Sequence, residues 1–272
     1  MNRIKLCSTN ELDIVKTFEC GQCFRWNADE KGIYRGVASG FFAEVETADE
    51  EVYITSDADE NFWREYFDLD TDYDEISAAF TGEYLETCRE YGKGIRILRQ
   101  ESWEALCSFI ISQCSNISRI KGIVERLCTG FGEELRVGDK VYYSFPTAER
   151  LSELTPEDLA SLRSGYRAEY IIIAAKAVAD GSLDLEALKA MDYKSAIKEL
   201  RRLRGIGEKV ANCAVLFGLW HMEAFPVDVW MKRALMQNFP EDFDPETLGP
   251  YAGLAQQYMF YHARSTGVCN TK

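Results

Sequence analysis

The chain has 272 residues, 46% hydrophobic and 28% charged, enough for a substantial core in one large domain or two to three subdomains. Its opening, MNRIKLCSTNELDIVK, lacks the apolar run of a secretory signal and no stretch approaches membrane-spanning length, so a cytoplasmic protein with no membrane partner is expected, nucleoid-associated if bacterial. A net charge of −14 argues against nucleic acid as a partner only if it is evenly spread, because phosphate contacts dominate such affinity.

It is not evenly spread. Residues 1–95 hold 22 acids and 9 bases, whereas the remaining 177 residues hold 23 acids and 22 bases. In chain order, Cys20 and Cys23 give the only CxxC spacing. A structural zinc would want a second such pair, so neither zinc nor any other metal site is expected. Nine cysteines without a secretion signal indicate reduced thiols. GIYRGVA, FFAEVE and EVYIT, separated by Ser39-Gly40 and the turn at 49–51, are short runs rich in β-branched and aromatic residues. They predict an antiparallel sheet with one or two helices over residues 1–95. The acid run 49–75 reads as a solvated outer face.

From Trp103 the pattern turns helical. Ser115-Asn116 breaks one helix and caps the next, and Thr155-Pro156-Glu157-Asp158 has the capping residue, proline and acid of a helix start. Apolar residues recur at helical spacing through 170–178 and 210–219. The predicted class is α+β: a sheet domain packed tightly on a larger all-α domain, 96–272, with a helix-hairpin-helix at about 200–220.

The stretch LRGIGEKVANCAVLFGLWHMEAFPVD, residues 203–228, carries the chemistry. Gly205 and Gly207 permit a tight turn and close backbone approach. The free N–H groups at the next helix start favour an anion such as a DNA phosphate. Lys209 can act as an amine nucleophile and Asp228 can handle protons or oppose positive charge. Residues 201–233 hold six bases against three acids. The plainer alternative is a helix–helix turn with a surface lysine, and Asp228 as an N-cap of a helix over 229–238.

L-x-G-I-G-x-K-V-A followed by P-V-D resembles the helix-hairpin-helix DNA glycosylases with a Gly/Pro-rich loop and terminal aspartate, and among them the 8-oxoguanine DNA glycosylases. Four further segments match in order: FECGQCFRW (18–26), FIISQCSNISR (109–119), GYRAEY (165–170) and GPYAGLAQQYMF (249–260). The resemblance implies a bifunctional glycosylase/AP lyase, monomeric, acting on duplex DNA with 8-oxoguanine opposite cytosine. Lys209 would attack C1′ of a flipped nucleotide, with Asp228 steadying the sugar charge. The Gly21 carbonyl would meet the N7–H of the oxidised base, which would lie between Phe260 and Cys213 with Gln256 on its Watson–Crick edge and Pro226 beside it. A Cys213 thiolate and the Lys209 ammonium would make a dipole matching that of the base.

Arg119 and Arg167 would serve the opposite cytosine and Tyr166 would wedge beside it. Gly205, Gly207 and Trp230 would face phosphates. Two positions depart from the family. Cys114, followed by Ser115 and Asn116, stands where an asparagine usually fills the gap, and Trp230 stands where a histidine is common. No cofactor is implied as required, although a monovalent cation on the hairpin carbonyls fits the family. The four-cysteine iron–sulfur loop of some relatives is missing, since Cys269 stands alone near the C-terminus. Two rivals remain: a monofunctional alkylpurine glycosylase of the same superfamily, which would lack the hairpin lysine, and a non-catalytic hairpin DNA-binding protein.

Overall fold

A computed structural model describes residues 1–267; Cys269 lies outside them. The N-terminal part runs β1 (Asn2–Ser8), α1 (Ile14–Glu19), β2 (Asn27–Ala28), β3 (Tyr34–Ala38), β4 (Phe41–Ala48), β5 (Glu51–Ser56), α2 (Glu60–Tyr66), α3 (Tyr73–Ser77) and α4 (Glu83–Gly92). The five strands form one antiparallel sheet in the order β1-β5-β4-β3-β2. Strands β3 to β5 fall on the three predicted runs. β1 was not foreseen, because Arg3 and Lys5 interrupt its apolar residues. That alternation is itself a strand signal, with Ile4 partly buried and Leu6 buried beside Lys5 at the surface.

Phe18 and Trp26 stack under the sheet at 4.5 Å, and the Trp26 indole donates to the Tyr66 hydroxyl at 2.9 Å. The segment between α1 and β2 is therefore anchored at both ends, which fixes the backbone of Gly21 between them.

The rest comprises α5 (Ser102–Ile111), α6 (Ile117–Phe131), β6 (Glu134–Val137), β7 (Lys140–Tyr143), α7 (Ala148–Ser152), α8 (Arg167–Ala179), α9 (Leu185–Ala190), α10 (Tyr193–Leu200), α11 (Glu208–Phe217), α12 (Val229–Asn238) and α13 (Ala252–Thr266). Helices α5 and α11 are buried nearly all round, the mark of helices central to a body rather than on its rim. Phe109 and Phe217 stack between them at 5.2 Å. Their core extends through Tyr73, Leu85, Cys88 and Ile95, so α3 and α4 pack on the helical body as well.

Three local expectations need correction. Residues 1–95 carry four short helices, α1 to α4, instead of one or two, because aspartates of the acid run, Asp59 and Asp72, cap α2 and α3. The β6–β7 hairpin, register Val137 to Lys140, sits inside the part read as all-α. Its Gly138-Asp139 turn, with Gly138 at φ +58°, is a hairpin signal that was passed over. Thr155-Pro156-Glu157-Asp158 starts no α-helix. Thr155 and Asp158 bond each other's side chains and backbone N–H groups, but the turn leads only to a 3-10 segment, Ala160–Leu162, ended by Arg163 at φ +54°.

Arg25 joins the two parts. It is buried, pairs with Glu104 on α5 at 3.2 Å and donates to the Tyr143 carbonyl on β7. Removing one partner of a buried pair strands the other charge. Arg25→Met should lower the unfolding free energy by about 3 kcal/mol, and Arg25→Met with Glu104→Leu by less. Guanidinium unfolding of the two variants checks this, and equal losses would refute the pairing.

Candidate active site

Helix α11 begins at Gly207, whose backbone is extended and which supplies no side-chain cap. The first N–H groups of the helix are thus left for an outside acceptor. Lys209, the second residue of the helix, is half-buried. Its ammonium donates to Ser112 Oγ at 2.9 Å and lies 5.2 Å from the centre of the Phe109 ring. Cys213, one turn further along the same face, is buried. Burial pushes its thiol up from the ordinary range. The hydrogen-bonded Lys209 opposes that shift and Asp228 adds to it. Lys209, Cys213 and Asp228 therefore converge. For the expected thiolate–ammonium dipole, burial weighs against the thiolate and Lys209 weighs for it.

Asp228 is half-buried and caps α12, accepting from the Met231 N–H at 2.9 Å. Both readings of it remain compatible: one carboxylate oxygen caps the helix, and the group still faces Cys213. The buried Pro226 two residues before it accepts from Gln256 Nε2 at 3.1 Å. Gln256 is itself buried, and its carbonyl oxygen finds no partner among the described residues. A buried amide oxygen with nothing to accept from is costly, which makes it a docking point for a donor.

One turn along α13, Phe260 lies against Gly21. A Cβ on Gly21 would sit 3.3 Å from both the Phe260 ring and Ile117, and its φ of +82° suits glycine. The carbonyls around Gly21 are all engaged: Glu19 by Arg264, Cys20 by Gln257 at 2.7 Å and Gln22 by Gln100 at 2.8 Å. Gly21's carbonyl alone in that run takes no hydrogen bond among the described residues. Ile117, not foreseen, is the third wall here.

Across the cleft, Cys114 is exposed at φ +47°. Asn116 caps α6 through the Arg119 N–H at 2.9 Å, and Arg119 is exposed. Tyr166 is 49% exposed, stands edge-on to Tyr170 at 5.6 Å, and bonds the Cys114 thiol, which with partial burial raises its phenol. Arg167 departs from the picture of a solvent-facing arginine. It is 3% exposed and donates to the carbonyls of Gln113 (2.9 Å from Nε), Cys114 (3.2 Å) and Ser164 (3.0 Å).

In the hairpin, Gln113 Nε2 donates to the Gly205 carbonyl at 3.1 Å. Arg204 pairs with Glu169, Arg202 with Glu199 and Arg201 with Glu208. At least half of the six local bases are thus matched by acids on the protein. Trp230 is half-buried against Ala234 and Ala263, near Arg233. Ser112 and Gln113, both central to this geometry, were missed; they lie inside the recognised 109–119 segment but have no pattern of their own.

A glycine hairpin presenting free N–H groups and a half-buried lysine set against a serine and a cysteine are the marks of a base excision glycosylase of the hairpin type. Residues 4–106 match the 8-oxoguanine DNA glycosylase N-terminal domain, and residues 107–246 match the HhH-GPD superfamily of base excision DNA repair proteins. The chain belongs to the 8-oxoguanine DNA glycosylase family. It is 34% identical to an N-glycosylase/DNA lyase of Saccharomyces cerevisiae, over 88% of this chain and 70% of that one. It is 31% identical to N-glycosylase/DNA lyase OGG1 of Arabidopsis thaliana, over 94% and 78%. The crystal structure of Clostridium acetobutylicum 8-oxoguanine glycosylase/lyase, bound to duplex DNA with cytosine opposite 8-oxoG, superposes with a TM-score of 0.89 at 36% identity, covering 95% and 94%.

Among the described residues no group of three or more His, Cys, Asp or Glu side chains is arranged to hold a metal ion, and no helix is long and apolar enough to cross a membrane.

The two hairpin glycines should respond differently to alanine. A Cβ on Gly205 (φ +94°) would meet the Tyr170 ring at 2.2 Å, whereas one on Gly207 meets nothing within 4 Å. Gly205→Ala should cost about 1–3 kcal/mol of stability and Gly207→Ala under about 1 kcal/mol. Urea unfolding measures both, and equal losses would contradict this geometry.

Proposed function

We propose that this chain is a bifunctional glycosylase/AP lyase that removes 8-oxoguanine from duplex DNA and then cuts the strand, working as a monomer. The observation that carries the reading is the amine of Lys209, held half-buried against Ser112 and Cys213. Attack by the neutral amine on C1′ forms a C–N bond as the glycosidic bond breaks, and the base leaves with its electron pair and takes up a proton. Ring opening of the resulting aminal gives a Schiff base. Abstraction of a C2′ proton then expels the 3′ phosphate by β-elimination. Asp228 stabilises the oxocarbenium-like charge in the first step and supports the proton transfers. The nucleophile and the proton-handling group both come from the chain.

Selection among bases follows from donor and acceptor placement. Oxidation at C8 turns N7 from an acceptor into a donor. The unengaged Gly21 carbonyl accepts from the oxidised base and repels the lone pair of guanine N7, a rejection that is strong because polar groups are left unpaired. Phe260 stacks on the base and the orphan oxygen of Gln256 takes a donor from its Watson–Crick edge, with Cys213 and Pro226 closing the pocket. Tyr166 and Cys114 occupy the gap, with Asn116 holding the start of α6. Arg119 serves the orphaned cytosine from solvent and Arg167 from behind the turn whose carbonyls it holds. Gly205, Gly207 and Trp230 face the phosphates, and a monovalent cation on the hairpin carbonyls is compatible with the same turn.

Borohydride trapping tests this reading. With a duplex holding one 8-oxoguanine, the protein should give a covalent band that vanishes in Lys209→Gln and persists, weakly, in Cys213→Ala. A band retained by Lys209→Gln, or none from the wild type, overturns the lysine mechanism; the latter is what an alkylpurine glycosylase or a passive binder would give. A second test bears on the opposite base. Arg119→Ala should shrink the preference for cytosine about 10–100-fold, measured as single-turnover excision against the four bases. An unchanged preference would remove Arg119 from that role.

A further inference from the structure

Ser112 sits where α5 ends, and its single hydroxyl proton is committed. Ser112 Oγ donates to the Phe109 carbonyl at 2.8 Å and accepts from Lys209 Nζ at 2.9 Å. A carbonyl can only accept, so the serine oxygen is locked as an acceptor toward the lysine. A neutral amine has two N–H bonds and one lone pair. If one N–H is drawn to Ser112 and another faces Cys213, the lone pair is left for the remaining direction. Were the hydroxyl free to rotate, it would donate to the amine and occupy the electrons that attack needs.

The turn that carries Ser112 is gripped on several sides. Its own N–H bonds the Ser108 carbonyl at 2.9 Å. Gln113 Nε2 spans the carbonyls of Ile110 and Gly205, both at 3.1 Å, and Arg167 holds the Gln113 and Cys114 carbonyls from behind. The acceptor is therefore fixed relative to both the hairpin and the opposite-base loop.

We propose that Ser112 is a positioning residue for the Lys209 nucleophile, its proton-committed hydroxyl aiming the lone pair of the amine into the cleft. This rests on the lysine mechanism proposed above. An acceptor beside an amine favours its charged form. Removing the acceptor should therefore free the amine at lower pH while leaving it unaimed, a combination that a loss of packing does not produce.

The test is single-turnover borohydride trapping by the whole chain on an 8-oxoguanine·cytosine duplex, followed across pH. Ser112→Ala should lower the plateau rate about 100-fold, the scale of a small misplacement of reacting groups. It should also move the acid limb to lower pH and leave DNA affinity within about twofold, because the residue acts on chemistry rather than binding. Ser112→Thr, which keeps the hydroxyl, should restore most of the rate. Ser112→Cys, similar in shape with a weak acceptor, should behave as the alanine variant does and stands in for it if that variant does not fold. A wild-type plateau in Ser112→Ala, an acid limb moved upward, or a loss that threonine does not relieve overturns the proposal while leaving the lysine mechanism intact. No trapping by the wild type overturns both.

Discussion

An ammonium drawn partly out of water is the constraint around which this molecule is arranged. Lys209 stands at the start of a helix whose remaining length is buried, so the backbone beneath it cannot give way. Its neighbours are a hydroxyl, a thiol and an aromatic face, which together hold the group in one place.

The pocket next to it is built from distant pieces of sequence. Gly21 comes from the segment pinned by Phe18 and Trp26 under the sheet, Ile117 from the start of α6, and Gln256 and Phe260 from α13. The carbonyls on either side of Gly21 are tied down by Arg264, Gln257 and Gln100. Those three side chains restrain the Gly21 carbonyl, as the selection proposed for it requires. The turn at Cys114 follows the same logic: Arg167, buried under it, holds the left-handed conformation of Cys114.

Much of this was legible in the residues. The strands β3 to β5, the cap at Asn116, the hairpin and the helix begun by Asp228 all follow from local pattern. What escaped depends on tertiary context. β1 is hidden by charges that pair across the sheet, Arg3 with Glu46 and Lys5 with Glu51. The Thr155 turn has the chemistry of a helix start, but Arg163 turns left-handed eight residues on and ends it. A buried arginine such as Arg167 runs against the rule that guanidinium groups face water, and only the carbonyls it meets explain its place. Ser112 belongs to no periodic pattern, so its role is visible only as distances.

The union of the two chain ends has a consequence for how the protein is made. Cys20 and Gln257, 237 residues apart, meet in one hydrogen bond, and the wall opposite Gly21 belongs to the last helix described. During translation the hairpin and its amine emerge while that wall is still unsynthesised. The wall opposite Gly21 is therefore completed only once α13 leaves the ribosome and docks, and a product truncated before α13 would carry Lys209 without Phe260 and Gln257 to enclose Gly21.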